Sequence, residues 1–383
     1  MSETETPKKS DSKITKIPSI ELMRILACLL VISAHCQLYA YDENVINPGR
    51  LFYSSIISDD VPIFFLITGF FFFKDVADDD GVFRIYIKKL CSFLINIWIP
   101  TVIFYLLYSI VEASKGNDIW KSFFDLTIRF KGPDHLWYVT ALLQFSILFP
   151  LFAFVCQNSK NRNNLRRIII LFSIIGSIIS DVQVAMNVEY LDKDKAFGLP
   201  YYYIYLLIGY ELSIYLRKEH KKSFILCMGV LLYIFGTGIK YGMQYFVTIR
   251  YGIYPSKFIW LQTTPCLITS TGFFIAIFSL NTLLTKSEIL TKIINMIGKK
   301  TFYIYLFHYN VLFATYELRS RIIEANHGCT KLFDVILYYI ESSIITFLIS
   351  LVFAILFTLV YDTFIKKALN KIILTRINKN NNG

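Results

Sequence analysis

No stretch of this chain is both long enough and polar enough to build a soluble domain. The longest polar pieces are the amino-terminal run Met1–Ile17 and loops of roughly twenty residues. Charge is scarce as well: 17% of the 383 residues are charged against 55% hydrophobic, and the mean hydropathy is +0.50. That balance excludes a soluble globular fold and indicates a multispanning membrane protein. Cysteine offers no disulfide framework. Six of the seven (Cys28, Cys36, Cys91, Cys156, Cys227 and Cys266) lie in apolar segments, which leaves Cys329 without a loop partner. No A-x-A cleavage pattern follows the first apolar segment, so it reads as a retained span. Heptad and solenoid repeats are missing too, and the only low-complexity piece is the polar tail Asn378–Gly383. The net charge of +11 does not make a nucleic-acid surface, because the basic residues fall in short runs between apolar segments, as orientation signals do.

What remains is a series of apolar segments near 18–40, 56–74, 90–112, 136–157, 165–182, 199–216, 222–239, 258–282, 297–318 and 335–364. Each suits a spanning helix of about 20 residues. Counted with the first 17 residues inside, the inner segments hold twenty-five Lys and Arg and the outer loops thirteen. This asymmetry predicts that both termini are cytoplasmic. The expected architecture is all-α and membrane-integral, with about ten transmembrane helices. A tail over 1–17 precedes one membrane domain over 18–364, and a second tail covers 365–383. Asp59 and Asp60 precede an uninterrupted run, Val61–Phe73, that is too short to cross the bilayer unaided. They are therefore expected at an outer mouth or in a cavity.

The first apolar segment, PSIELMRILACLLVISAHCQLYA, carries Glu21, Arg24 and His35. Ionisable groups inside a span are costly, so they mark candidate sites. At 100° per residue, the eleven steps from Arg24 to His35 return to within about 20° of the same face, and Glu21 joins it at i−3. The predicted result is one polar stripe, about 16 Å long between Arg24 and His35, which must face protein or water. A guanidinium fork suits phosphate and a neutral imidazole suits proton transfer near pH 7. A donor with phosphates at the cytosolic mouth and a long reactive arm, such as a coenzyme A thioester, would meet both. The same residues also fit a packing role, in which Arg24 pairs with Glu21 and His35 bonds a neighbouring helix. Three further segments have polar groups with two readings. Thr68 and Gly69 in VPIFFLITGFFFF fit a site or a small-residue helix contact. His135 and Trp137 in GPDHLWYVTALLQFSILFP fit a site or an interfacial anchor. His308 in GKKTFYIYLFHYNVLF fits a site or internal packing.

These segments resemble, in order, the motifs of the acyltransferase-3 superfamily of membrane O-acyltransferases. IELMRILACLLVISAH resembles the opening arginine, ten residues, histidine segment, and VPIFFLITGFFF resembles the short glycine helix. HLWYVTALLQFSILFP, YYYIYLLIGYEL and GKKTFYIYLFH follow in the family's order. The resemblance implies transfer of an acyl group, most often acetyl, from cytoplasmic acyl-coenzyme A to a hydroxyl of a cell-surface or lipid-linked carbohydrate. It implies a multi-pass protein of the bacterial cytoplasmic membrane that uses no metal. His35 would be the catalytic residue, and Arg24 would bind or orient the donor. Glu21 stands where the family commonly has aspartate, and Thr68 where serine is frequent. Arg84, Lys88 and Lys89 offer the basic group after the second helix, although Cys91 and Ser92 follow them. His135, Trp137 and His308 fall in the remaining motifs as substrate- or donor-binding positions. Many relatives carry an extracytoplasmic esterase-like domain. This chain ends after its last apolar segment, so it would act alone or hand the group to a separate glycan-assembly partner. A transporter or flippase for a lipid-linked sugar is the competing class, since midplane polar groups also suit a substrate pathway.

Overall fold

The computed structural model of the protein describes residues 17–36, 41–42, 45–57, 60–73, 82–129, 134–157, 159–186, 201–218, 220–252 and 261–371. The chain is helical almost throughout. Beyond the helices, the described residues hold one two-residue antiparallel pairing, Tyr41 with Ile46 and Asp42 with Val45. The helices run α1 Pro18–His35, α2 Pro48–Ile57, α3 Asp60–Phe72, α4 Val82–Phe93, α5 Ile99–Ala113, α6 Ile119–Thr127, α7 Trp137–Ile147, α8 Phe149–Cys156 and α9 Lys160–Ala185. They continue as α10 Tyr203–Tyr215, α11 Lys222–Tyr251, α12 Thr264–Ser279, α13 Asn281–Leu284, α14 Glu288–Gly298, α15 Thr301–Ala314, α16 Tyr316–Ala325 and α17 Leu332–Val360. A π-helical turn, Leu94–Trp98, joins α4 to α5, and another, Tyr361–Lys366, extends α17.

Each of the ten expected segments corresponds to helix, though not all to a full span. Seven stretches among the described residues are long and apolar enough to cross a bilayer, and α7 with α8, bent by 65° between them, make an eighth if taken as one. The other two segments are α10, of 13 residues, and α15, of 14. Both reach only about 20 Å, short of the roughly 30 Å of hydrocarbon, and both are largely buried within the bundle. α11 runs on to Tyr251, so Lys240, placed by the sequence in a loop, lies wholly buried in mid-helix. The last span likewise continues helically to Lys371, past the expected boundary at 364. The tail 1–16 lies outside the described residues.

Small residues let the short central helices meet at backbone distance. A Cβ at Gly69 would stand 2.0 Å from the Leu206 carbonyl oxygen, and one at Gly209 would stand 2.2 Å from that of Leu66. Only glycine permits this crossing of α3 and α10, as in other membrane helix pairs that exclude side chains from the contact. Gly229 and Gly272 serve the α11–α12 pair in the same way. Polar bonds supplement this packing. Ser33 and Ser343 hydroxyls meet at 2.6 Å, tying α1 to α17. Asp181 Oδ2 accepts from the Thr264 N–H at 2.8 Å and so caps α12 from α9. Arg166, 1% exposed, donates to Glu211 at 2.8 Å and to the Val155 carbonyl at 3.1 Å. Tyr210 donates to the Cys156 carbonyl at 2.5 Å, so two side chains satisfy the last carbonyls of the short α8. All seven cysteines are unpaired thiols.

Candidate functional site

α1 begins with Pro18 in its first turn, where the missing N–H costs nothing, and ends at His35 with Cys36 as its C-cap; positions 37–40 of the expected segment lie outside the described residues. Near its start the Arg24 guanidinium donates to the Glu21 carboxylate at 3.2 Å, the i, i+3 pair expected from spacing. Gly298, at the end of α14, lets Glu21 sit close: a Cβ there would be 2.4 Å from Glu21 Oε2. Arg24 then lines a cavity of about 440 Å³, within the size range of small-molecule sites. Two more cations, Lys89 and Lys299, face the same space, as do Thr68, Asn96 and Thr301. Lys89 is held over the ring faces of Phe72 and Phe149, at 4.6 and 5.8 Å. The start of α15 at Thr301 adds the positive end of a helix dipole. Three cations and a helix N-terminus around one cavity make a setting for phosphate.

Deeper along α15 the cavity is lined by Tyr305 and Tyr138. The Tyr138 and Thr68 hydroxyls are hydrogen-bonded, and Thr68 in turn donates to the Phe64 carbonyl at 2.8 Å. On the other side of Tyr305 lie three histidines from three different elements. His35 ends α1, His135 occupies the 3-10 turn Asp134–Leu136, and His308 lies in the third turn of α15. Their ring centroids are 5.4 Å apart for His35 and His308, 5.0 Å for His135 and His308, and 6.4 Å for His35 and His135. Tyr305 approaches His135 at 5.7 Å and His308 at 5.6 Å, and its hydroxyl donates to the His135 carbonyl. Tyr309 closes the group, 4.7 Å from His135 and 5.4 Å from His35.

His135 and His308 are buried, at 2% and 0% exposure. His308 Nδ1 meets the Tyr305 carbonyl at 2.6 Å; a carbonyl partner requires the proton on Nδ1 and leaves Nε2 as an acceptor. That Nε2 meets no hydrogen-bond partner among the described residues, and the Leu306 backbone is the one polar group found against the His135 ring nitrogens among the described residues. Buried polar atoms are normally paired, so a cluster with open nitrogens is a place for a transferred proton or an incoming hydroxyl. No group of three His, Cys, Asp or Glu side chains among the described residues is arranged to hold a metal ion.

The sequence-predicted residues therefore fall into two neighbouring groups. Arg24, Thr68 and Lys89 line the cavity, with Glu21 outside its lining but bonded to Arg24, whereas His35, His135 and His308 meet behind Tyr305, and the cavity lining includes none of the three. Trp137 belongs to neither. It is 39% exposed and contacts Phe65 and Tyr202. Lys88 points outward, exposed and away from the cavity lining, and the Arg84 side chain lies outside the described residues. Asp60 opens α3, with Oδ1 accepting from the Val61 N–H at 2.7 Å, and the Asp59 position lies outside the described residues.

Sequence reasoning missed Tyr138, Tyr305, Lys299 and Arg319. Tyr138 and Tyr305 sit inside segments already singled out, but 26 tyrosines dilute any one of them. Arg319 reads as a loop cation. In the folded chain it donates to the Cys36 carbonyl at 3.4 Å and the Leu312 carbonyl at 2.9 Å. It thus caps the ends of the two helices that carry His35 and His308.

A bundle of apolar helices around a cationic cavity and a buried histidine cluster defines an all-α membrane protein with a candidate site in its interior. The particular family follows from comparison: an acyltransferase domain family matches residues 17–363, and the chain belongs to it, the acyltransferase-3 family. It is an acyltransferase of the membrane. No curated protein matches it, and no solved structure does.

Proposed function

We propose that the protein transfers an acyl group, acetyl in the simplest case, from acyl-coenzyme A to a hydroxyl of a cell-surface or lipid-linked carbohydrate. The observation that carries this reading is the convergence of His35, His135 and His308 behind Tyr305, next to a cavity ringed by Arg24, Lys89 and Lys299. The donor's phosphates rest against those three cations, and the Glu21–Arg24 end of α1 faces the cytosol. Its thioester arm runs inward, parallel to the roughly 16 Å of α1 between Arg24 and His35, and passes Tyr305. That passage requires the Tyr305 ring to turn aside.

At the cluster, His35 takes the proton of the acceptor hydroxyl as the oxygen attacks the thioester carbonyl. The new C–O bond forms, the C–S bond breaks, and the imidazolium returns its proton to the coenzyme A thiolate. His308, with its Nε2 open, and Tyr309 hold the His35 ring in place. A well-placed base contributes about 10²–10⁴-fold, and the remainder comes from holding both reactants in a water-poor chamber. The acceptor approaches from the His35 end, on the outer side of the bilayer.

The test is transfer of radiolabelled acetyl from acetyl-coenzyme A to an extracted surface polysaccharide by the protein in proteoliposomes. Changing His35 to Ala is expected to lower the rate by at least about 10²-fold while membrane insertion is unchanged. Normal transfer by that variant would remove His35 from the chemistry. A wild-type protein that moves lipid-linked sugar across the bilayer yet transfers no acetyl would overturn the enzymatic reading altogether.

A further inference from the structure

Arg319 belongs to α16, a surface helix in which no residue is fully buried, yet its guanidinium turns inward. One Nη donates to the Cys36 carbonyl at 3.4 Å and the other to the Leu312 carbonyl at 2.9 Å. Cys36 is the C-cap of α1, and its own N–H closes the last turn on Ile32 and Ser33. Leu312 lies in the last turn of α15. Both carbonyls are of the kind that a helix end leaves unpaired. The Tyr338 hydroxyl of α17 donates to the same Cys36 carbonyl at 2.8 Å and accepts from Arg319. One side chain therefore joins α1, α15 and α17 at a single level.

The bonded carbonyls stand beside the histidine cluster. Cys36 follows His35 directly, and Leu312 lies one turn beyond His308, about 6 Å along α15 and about 40° around it. His308 is fixed to its own helix through the Tyr305 carbonyl at 2.6 Å, so it moves with α15, as His35 moves with the end of α1. The 5.4 Å between their ring centroids thus depends on how the two helix ends are held. Nearer the cytosol α1 meets α15 through the Cys28 thiol and the Thr301 carbonyl at 3.9 Å. That weak bond is about 12 Å from Cys36 along the helix. No carboxylate among the described residues pairs with Arg319, and its Nε is buried without a partner, which costs stability. A cation held in this way by carbonyls serves the negative ends of two helices, not an ion pair.

We propose that Arg319 is a positioning residue for acyl transfer: it clamps the ends of α1 and α15 together and so sets the spacing of the His35 and His308 rings. It stands outside the cationic cavity, whose lining does not include it, so it acts through the histidines and not on the donor. Two carbonyls on different helices need two N–H groups diverging from one rigid plane, which a guanidinium supplies and an ammonium does not. The effect on rate rests on the acyl-transfer reading above, whereas the clamp itself does not.

The test combines steady-state acetyl transfer with nitrogen NMR of the full-length protein labelled at its five histidines. His220, bonded to the Tyr215 carbonyl at 3.1 Å and outside the cluster, is the internal reference. Arg319→Gln and Arg319→Lys are each expected to lower kcat about tenfold or more with KM for acyl-coenzyme A within about twofold, since a displacement of about 1 Å can cost about 10²-fold. In both, the His35 and His308 ring signals shift while that of His220 stays. Tyr338→Phe removes a donor from the Cys36 carbonyl alone and is expected to shift the His35 signal and leave His308 unmoved. Unmoved His35 and His308 signals in Arg319→Gln would overturn the proposal; where that variant fails to fold, an unmoved His35 signal in Tyr338→Phe overturns it. Full activity of Arg319→Lys would also overturn it, showing that charge alone suffices, as would a raised KM with kcat unchanged, which would place Arg319 in donor binding. A wild type that transfers no acetyl, with ring signals that still respond to Arg319→Gln, would overturn the acyl-transfer reading and leave the clamp standing.

Discussion

Replacing Gly209 with Ala tests whether the backbone crossing of α3 and α10 sets the geometry of the reaction chamber. The added Cβ would stand 2.2 Å from the Leu66 carbonyl oxygen and 3.1 Å from its Cα. An ordinary carbon–oxygen contact is about 3.3–3.6 Å, so the helices must part by about 1 Å. Both obstructing atoms belong to a helix backbone, so no rotamer change relieves them. Overpacking of this kind costs about 1–3 kcal/mol, and α3 also carries Thr68, whose hydroxyl holds Tyr138 at the cavity wall. A misplacement of about 1 Å can lower a rate by about 10²-fold. The control is Gly238→Ala on α11, where an added Cβ meets nothing within 4 Å and the helix gains roughly 0.5–1 kcal/mol. Thermal unfolding in detergent and acetyl transfer per folded molecule are measured on both. Gly209→Ala is expected to unfold earlier and transfer far more slowly, and Gly238→Ala to equal or exceed the parent in stability. Equal behaviour of the two variants would refute the packing argument.

Three other substitutions separate the parts of the site. Tyr305→Phe keeps the ring but leaves the buried His135 carbonyl without its donor, at a cost of about 1–3 kcal/mol; a lower unfolding temperature with a raised background of acyl-coenzyme A hydrolysis is expected, and unchanged values of both would remove Tyr305 as the partition. Arg24→Lys preserves the charge and removes the forked donor, so KM for acyl-coenzyme A in steady-state assays should rise about tenfold or more while kcat changes less. A fall in kcat alone would place Arg24 at the chemical step instead. Glu211→Gln removes the charge facing the Arg166 guanidinium, 1% exposed, and leaves its bond to the Val155 carbonyl, for which a loss of about 1–3 kcal/mol is expected. The loss should show in thermal unfolding, with transfer by the surviving folded fraction intact.

The helical, membrane-embedded character was legible because hydropathy acts over whole segments, and each of the ten apolar segments is indeed helix. What the sequence did not disclose was how far each helix runs. α10 and α15 are shorter than the expected segments 199–216 and 297–318, and Tyr205, Gly209 and His308 within them are buried against other helices, so protein rather than lipid surrounds them. Lys240 illustrates the opposite failure. A cation in an apolar run reads as a loop, yet burial within the bundle keeps it inside one continuous helix. Within the site, the Glu21–Arg24 pair was readable because i, i+3 spacing is local. The meeting of His35, His135 and His308 was not readable, since they are brought together by packing between α1, the turn before α7, and α15. Trp137, one residue from Leu136 and two from His135, shows how little proximity in sequence decides: it turns toward Phe65 and away from the cluster.

The short helices explain why the candidate site lies where it does. A helix that crosses the bilayer without a break leaves its unpaired amides and carbonyls at the two surfaces, where water already satisfies them. Here α1 stops at His35, α3 starts at Asp60, and α15 starts at Thr301 beside the cavity. A 3-10 turn presents His135 just before α7. Helix ends and irregular backbone inside a membrane protein are tolerated only where protein or a polar cavity receives them, and Arg319 supplies part of that reception by donating to the carbonyls of Cys36 and Leu312. Interrupting the helices thus creates both the anion-attracting start of α15 and the polar end of α1 within one bundle. Uninterrupted helices of the same composition would have buried only apolar faces, and the three histidines would not have met beside the cavity.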